Sequence, residues 1–158
     1  HKFYYSHNFG HNGPYEFFFF CFNGKISELQ AAVGLAVSPY IAEIIDTRKK
    51  AVDLYDSELD FSRIKKIKLR ENTDWNYSYY PIIFETEEIL LRIQSFLKEN
   101  DINPRRYFYP SLNTIKYTNG EKMIISESIS QRIMCLPLYA NMEEQDVMKI
   151  CTLINQIL

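Results

Sequence analysis

The chain has only three cysteines, Cys21, Cys135 and Cys151, far apart and with no C-x-x-C pair among them. That spacing signals neither a zinc site nor a disulfide framework, and it fits a reducing cytoplasm. No apolar run approaches the roughly 18 residues expected of a membrane span, and no secretory leader is visible. Charge of one sign is lacking too. The 18 Lys and Arg against 20 Asp and Glu leave a formal net charge of −2, so no overall field recruits nucleic acid or an anionic membrane. Histidine is confined to His1, His7 and His11. No G-x-S-x-G elbow, P-loop or G-x-G-x-x-G occurs, and a nucleophile elsewhere in the chain finds no histidine base beside it in sequence. His7 and His11 have the spacing of a metal pair on one helical face. Gly10, Gly13 and Pro14 work against a helix there, no third ligand lies near, and no metal site is expected. On its own the chain carries no recognisable catalytic centre.

Aromatic side chains are plentiful, with 12 Tyr and 11 Phe in 158 residues. Such a content suits a well-filled core or a large contact surface. The length is about that of one domain, enough to bury roughly two-thirds of the unfolded surface. The sequence opens on His1 in a turn-rich stretch, which raises the expectation of a fragment of a longer polypeptide.

Residues 1–16 read as an extended, turn-rich entry and PYEFFFFCF as an extended approach. Ser27 followed by Gln30 forms a capping-box signal, and the helix it starts runs through LQAAVGLA. Ser38-Pro39 predicts a restart, with Ser38 as N-cap and Pro39 at the first helical position. Ile41, Ile44, Ile45, Arg48, Val52, Tyr55 and Leu59 then fall on one stripe of a long helix. RIKKIKLR (residues 63–70) reads either as a solvated edge segment or as an anion-binding patch. YSYYPIIF predicts a strand in which Pro81 implies an edge or a bulge. A helix capped by Thr86 comes next, burying Ile89, Leu90, Ile93, Phe96 and Leu97. RRYFYP reads as a short extended stretch, residues 127–132 as a short helix, IMCLPLY as a strand, and the last 17 residues as a helix. Helices over one small sheet predict an α+β two-layer sandwich.

Two segments concentrate polar chemistry. Asn23-Gly24-Lys25 precedes a helix start, where unpaired N–H groups and the dipole favour an anion. The alternatives are an ordinary turn and a phosphate contact. In RRYFYPSL, two arginines, two tyrosine hydroxyls and a proline turn suit a sugar or diphosphate group. The alternative is a strand whose aromatics pack inward while its arginines meet solvent.

CFNGKISELQAAVGLA resembles the G-[FY]-N-x-[RK]-M-x-E-L-Q-A-A-x-G-L-A segment of the DegT/DnrJ-type nucleotide-sugar aminotransferases, which are pyridoxal-phosphate enzymes of fold type I. The resemblance continues in order through RKKAVDLYDSEL, SYYPIIF, FLKENDINPRRYFYPSL and ISQRIMCLPLY, covering nearly the whole chain. Departures are Cys21 for the common Gly, Gly24 for a frequent aromatic and Ile26 for Met. The resemblance implies the C-terminal portion of such an enzyme. Residues 1–37 would be the end of the large-domain and interface segment, and residues 38–158 a long linking helix plus the small α+β domain. It makes Asn23 a ligand of the cofactor phosphate across a homodimer interface. It places Lys25 near the nucleotide-sugar site, with Tyr107 and Tyr109 on the segment that approaches it. Glu28 and Gln30 match the pattern, with site role and helix capping both open. The Schiff-base lysine would lie upstream of residue 1, so no catalytic residue is assigned here. The implied reaction moves an amino group, from glutamate, to a keto group of a nucleotide-linked hexose, and YFYPSL points to dTDP-linked 3-keto-6-deoxyhexoses. Relatives carrying His for that lysine are dehydratases. A non-catalytic dimerisation module and a carbohydrate-binding module are the readings outside this reaction.

Overall fold

The computed structural model describes residues 26–115 and 120–158; the expectations that fall on residues 1–25 and 116–119, Asn23, Lys25 and the FFFFCF run included, lie outside them. The chain divides into two compact units, residues 1–41 and 42–158.

In the first unit, helix α1 (Glu28–Val37) starts on the expected capping box. Gln30 N–H donates to Ser27 Oγ at 3.3 Å, and Ser27 N–H donates to Gln30 Oε1 at 2.9 Å. Gln30 is therefore a capping residue. Ser38 does not cap a second helix as expected. It sits in right-handed helical space and its N–H still donates to Gly34 O, so a 3₁₀ turn (Ser38–Tyr40) takes the place of a fresh start. No residue of α1 is buried, and Leu29 and Leu35 are three-quarters exposed. By length and composition alone, the helical stretch Glu28–Glu58 contains an 18-residue window (mean hydropathy 1.2) apolar enough to cross a membrane, contrary to the sequence expectation. Single polar residues such as Ser38 and Glu43 break the apolar runs, but the apolar majority around them keeps the average at 1.2.

The second unit is built on a three-stranded antiparallel sheet in the order β1-β2-β3, from β1 (Ile64–Lys66), β2 (Tyr80–Phe84) and β3 (Ile133–Leu136). Helices α2 (Ile41–Glu58), α3 (Glu87–Glu99), α4 (Ile124–Arg132) and α5 (Glu144–Ile157) complete it. The mixed α+β class expected from the sequence is what the chain adopts. One core joins Val52 and Tyr55 of α2, Ile82 and Phe84 of β2, Leu90 and Ile93 of α3, and Val147 and Ile154 of α5. Each such side chain contributes about 1.5–3 kcal/mol by leaving water. The α2 stripe is buried only from Ala51 onward; Ile41 is half exposed.

RIKKIKLR contributes an edge strand at Ile64–Lys66, in line with its reading as a solvated edge segment. Two expectations are corrected. RRYFYP forms no strand, only a bridge between Arg105 and Cys135. Pro81 lies in the central strand, not at an edge. β1 reaches only Ile82 to Phe84, so Pro81 has no neighbour on that side. On the other side it faces Cys135, whose N–H donates to Arg105 O (2.8 Å) and whose C=O accepts from Arg105 N–H (3.1 Å). Cys135 needs no backbone donor from Pro81, which has none to give. The edge strand carries Lys65 outward, a charge that discourages pairing with another sheet.

α2 is tied to the sheet by two tyrosines. Tyr55 and Tyr80 stack with ring centroids 4.8 Å apart. Tyr55 donates to Pro137 O at 2.9 Å and Tyr80 to Asp56 Oδ1 at 2.5 Å, while Lys66 pairs with the same carboxylate. Burial pushes the Cys135 thiol up to about 11 and the Cys151 thiol up to about 12, so both stay protonated and inert at neutral pH.

Candidate functional site

Tyr107 and Tyr109, expected on the substrate side, lie in the segment after α3. A turn at residues 100–103 ends the helix, and the double backbone bond of Arg105 to Cys135 pins the next residues to the outer side of β3. The chain then cannot continue along the sheet, because Tyr107 N–H turns back to Arg105 O at 3.1 Å. The aromatics that a strand would send inward stand at the surface. Phe108 is 71% exposed, and Tyr109 and Tyr79 are about half exposed.

Two clusters result. In the first, Arg105 donates through Nη1 to the Tyr107 hydroxyl at 2.8 Å, and its guanidinium lies 5.6 Å from the centre of that ring. Tyr79 approaches Tyr107 at 5.4 Å, and Phe108 meets it edge-on at 4.7 Å. In the second, the Arg106 guanidinium lies 3.8 Å over the Tyr109 ring. Arg106 Nη2 donates to Glu87 Oε1 at 2.7 Å and to Gln131 O at 2.9 Å. Exposed aromatic faces beside the exposed Arg105 guanidinium suit a ligand with a flat ring and negative charge.

Next to the first cluster, a cavity of about 690 Å³ opens between Tyr107, Phe108 and Leu112 on one side and Met123, Ile129 and Ile133 on the other. Its polar wall is a closed network. Ser111 Oγ lies 2.9 Å from Ser126 Oγ and 2.6 Å from Asn113 Oδ1, and Asn113 Nδ2 donates to Glu127 Oε1 at 2.6 Å. The Met123 backbone N–H and then the Asn113 amide hold the Glu127 carboxyl below its usual range. Gly120 closes this loop, for a Cβ there would sit 2.6 Å from Asn113 Cα.

The structure thus brings Tyr107 together with Arg105, and Tyr109 with Arg106. Sequence reasoning missed Tyr79, Phe108 and Glu87. Tyr79 looked like one more strand residue, and Glu87 looked like a dipole-favoured residue in a first turn. No cluster of His, Cys, Asp and Glu able to hold a metal occurs among the described residues.

Known proteins agree with this architecture. The model of the DegT/DnrJ/EryC1/StrS aminotransferase family matches residues 2–155. The dTDP-4-amino-4,6-dideoxy-D-glucose transaminase of Escherichia coli is 34% identical over 141 residues, which is 84% of this chain and 38% of that protein. The chain therefore spans well under half the length of this curated relative. Among solved structures, a DegT DnrJ EryC1 StrS aminotransferase from Brucella abortus superposes with a TM-score of 0.80 at 20% identity, covering 98% of this chain and 42% of that one. Spr1654 from Streptococcus pneumoniae, solved in its PLP form, gives 0.74 at 21% identity, covering 99% and 43%. A family match that runs almost from end to end, on a fold these structures share, leaves one conclusion: the chain belongs to the DegT/DnrJ/EryC1/StrS aminotransferase family.

Proposed function

We propose that this chain is the C-terminal portion of a pyridoxal-phosphate-dependent aminotransferase that acts as a homodimer on a nucleotide-linked keto-hexose, with glutamate as amino donor. Residues 1–37 would end the large-domain and interface segment, and residues 38–158 would form the linking helix and small domain. The observation that carries the reading is the surface segment from Arg105 to Tyr109, where a member of this family exposes aromatic faces beside two guanidinium groups. The E. coli relative is named for a dTDP-linked hexose bearing its amino group at carbon 4. A dTDP-linked 4-keto-6-deoxyhexose is accordingly the first substrate to test, with the 3-keto isomer second.

The described helix start does not by itself fit a phosphate. Ser27 and Gln30 turn their groups toward each other, and Glu28 stands in the first turn. In this reading the phosphate contact falls to Asn23 of the neighbouring subunit, with Lys25 on the nucleotide-sugar side. Bound pyridoxal phosphate would supply the electron sink for the transfer, and the Schiff-base lysine belongs to the upstream domain. A second copy, together with that domain, would cover α1, which carries no polar side chain from Ala31 to Val37 and leaves Val33 and Leu35 exposed. Buried, reduced Cys135 and Cys151 suit a cytoplasmic enzyme.

The test is product analysis with the full-length protein, pyridoxal phosphate, glutamate and the two keto sugars. An amino sugar formed together with 2-oxoglutarate supports the reading. Loss of water from the sugar without gain of nitrogen would select dehydration instead, and no turnover of a cofactor-loaded dimer would leave a dimerisation module.

A further inference from the structure

Resting on the substrate-side place of Tyr109 in the reading above, we propose that Arg106, braced by Glu87, is a positioning residue that fixes the Tyr109 ring for the nucleotide-sugar. The arrangement runs outward from the start of a helix. Thr86 Oγ1 accepts from Ile89 N–H at 3.2 Å and sets the first turn of α3, where Glu87 is the first residue. Glu87 Oε1 and Gln131 O both accept from the same Arg106 nitrogen, at 2.7 and 2.9 Å. These bonds fix the guanidinium, whose carbon lies 3.8 Å over the centre of the Tyr109 ring.

The Arg106 side chain is only 15% exposed and its Nε is buried without a hydrogen-bond partner, so the cation is committed inward and is not offered to a ligand. Tyr109 stays 49% exposed, because Arg106 covers one face of the ring and leaves the rest open. None of the three residues belongs to the hydrophobic core. A charge is desolvated here to hold a ring that adds nothing to core packing. The result is a surface ring held in one orientation, as recognition of a flat or sugar face demands. Arg suits the task where Lys does not, since one nitrogen of the planar guanidinium bonds two oxygens while its carbon still lies over the ring.

The experiment measures dissociation constants for dTDP, as probe, on the full-length cofactor-loaded dimer, with GDP and UDP beside it. The variants are Tyr109→Ala, Arg106→Met, Arg106→Lys, Glu87→Gln and the Arg106→Met/Tyr109→Ala double variant. Arg106→Met and Tyr109→Ala should each weaken binding about fivefold, with the double variant no worse than Tyr109→Ala. Glu87→Gln should weaken it less, and Arg106→Lys should recover part of the loss. In turnover, KM for the nucleotide-sugar should rise while KM for glutamate stays put, a split that general loosening would not give. If Tyr109→Ala weakens binding while Arg106→Met, Arg106→Lys and Glu87→Gln leave it unchanged, the positioning role is wrong and the substrate-side reading stands. If Tyr109→Ala has no effect on any of the three nucleotides, the substrate-side place of Tyr109 fails, and the positioning role with it. Should Arg106→Met not fold, the Arg106→Lys and Glu87→Gln pair decides alone.

Discussion

Pro81 and Cys135 face each other across the central strand pair without needing a backbone hydrogen bond between them, because Cys135 gives both its N–H and its C=O to Arg105. A single β3 residue thus lets a proline into a central strand and anchors the segment that displays Tyr107 and Tyr109.

The two halves of that relationship separate on substitution. Pro81→Val adds a donor where none is required and should change stability by less than about 1 kcal/mol. Arg105→Pro removes the N–H that Cys135 O accepts and should cost about 1–3 kcal/mol. Amide hydrogen exchange should become faster across residues 105–113 in Arg105→Pro and stay unchanged there in Pro81→Val.

Tyr55 and Tyr80 couple α2 to the sheet and should make the fold sensitive to alkali. Burial raises the pKa of both hydroxyls above the ordinary tyrosine value of 10.0, and for Tyr80 the Asp56 carboxylate adds to the effect. The folded state therefore keeps protons that the unfolded chain releases. Their contribution is complete below the unfolded value and drains away as pH climbs above it. Thermal unfolding midpoints should fall steeply above about pH 10, and less steeply in Tyr80→Phe. At neutral pH, Tyr55→Phe leaves Pro137 O without its donor and should cost about 1–3 kcal/mol.

Glu127 works in the opposite direction. Its carboxyl is held below the ordinary glutamate value of 4.5, chiefly by the Met123 N–H and then by Asn113. The order it lends to the start of α4 is present above that value and lost as pH falls through the lower folded one. Hydrogen exchange at residues 120–127 should accelerate in acid. Glu127→Gln should bring that faster exchange to neutral pH and flatten the profile.

Much of the fold was legible because its signals are local. The Ser27–Gln30 box, the Thr86 cap and the apolar stripes of α3 and α5 are read from residues a few positions apart. The misreadings at the sheet and the site depend on distant partners. Pro81 is acceptable in a central strand only because Arg105, far along the chain, takes up the bonds of Cys135. Ser38 has the right side chain for a cap, but its backbone stays helical. At the site, RRYFYP showed which residue types were present but not that Tyr107 N–H turns back and brings Phe108 to the surface. Glu87 reaches Arg106 only through the fold, and no spacing in the sequence pairs them.

The most direct test of the proposed enzyme is complementation between subunits. Two full-length variants are made, one with Asn23→Ala and one lacking the upstream Schiff-base lysine, and nitrogen-15 transfer from glutamate to the keto sugar is measured for each alone and for the re-associated mixture. If Asn23 serves a cofactor held by the other subunit, each mixed dimer regains one intact site, and the mixture should recover about a quarter of wild-type transfer. A mixture no more active than its separate components would contradict a site shared across the dimer and the place given to Asn23 within it.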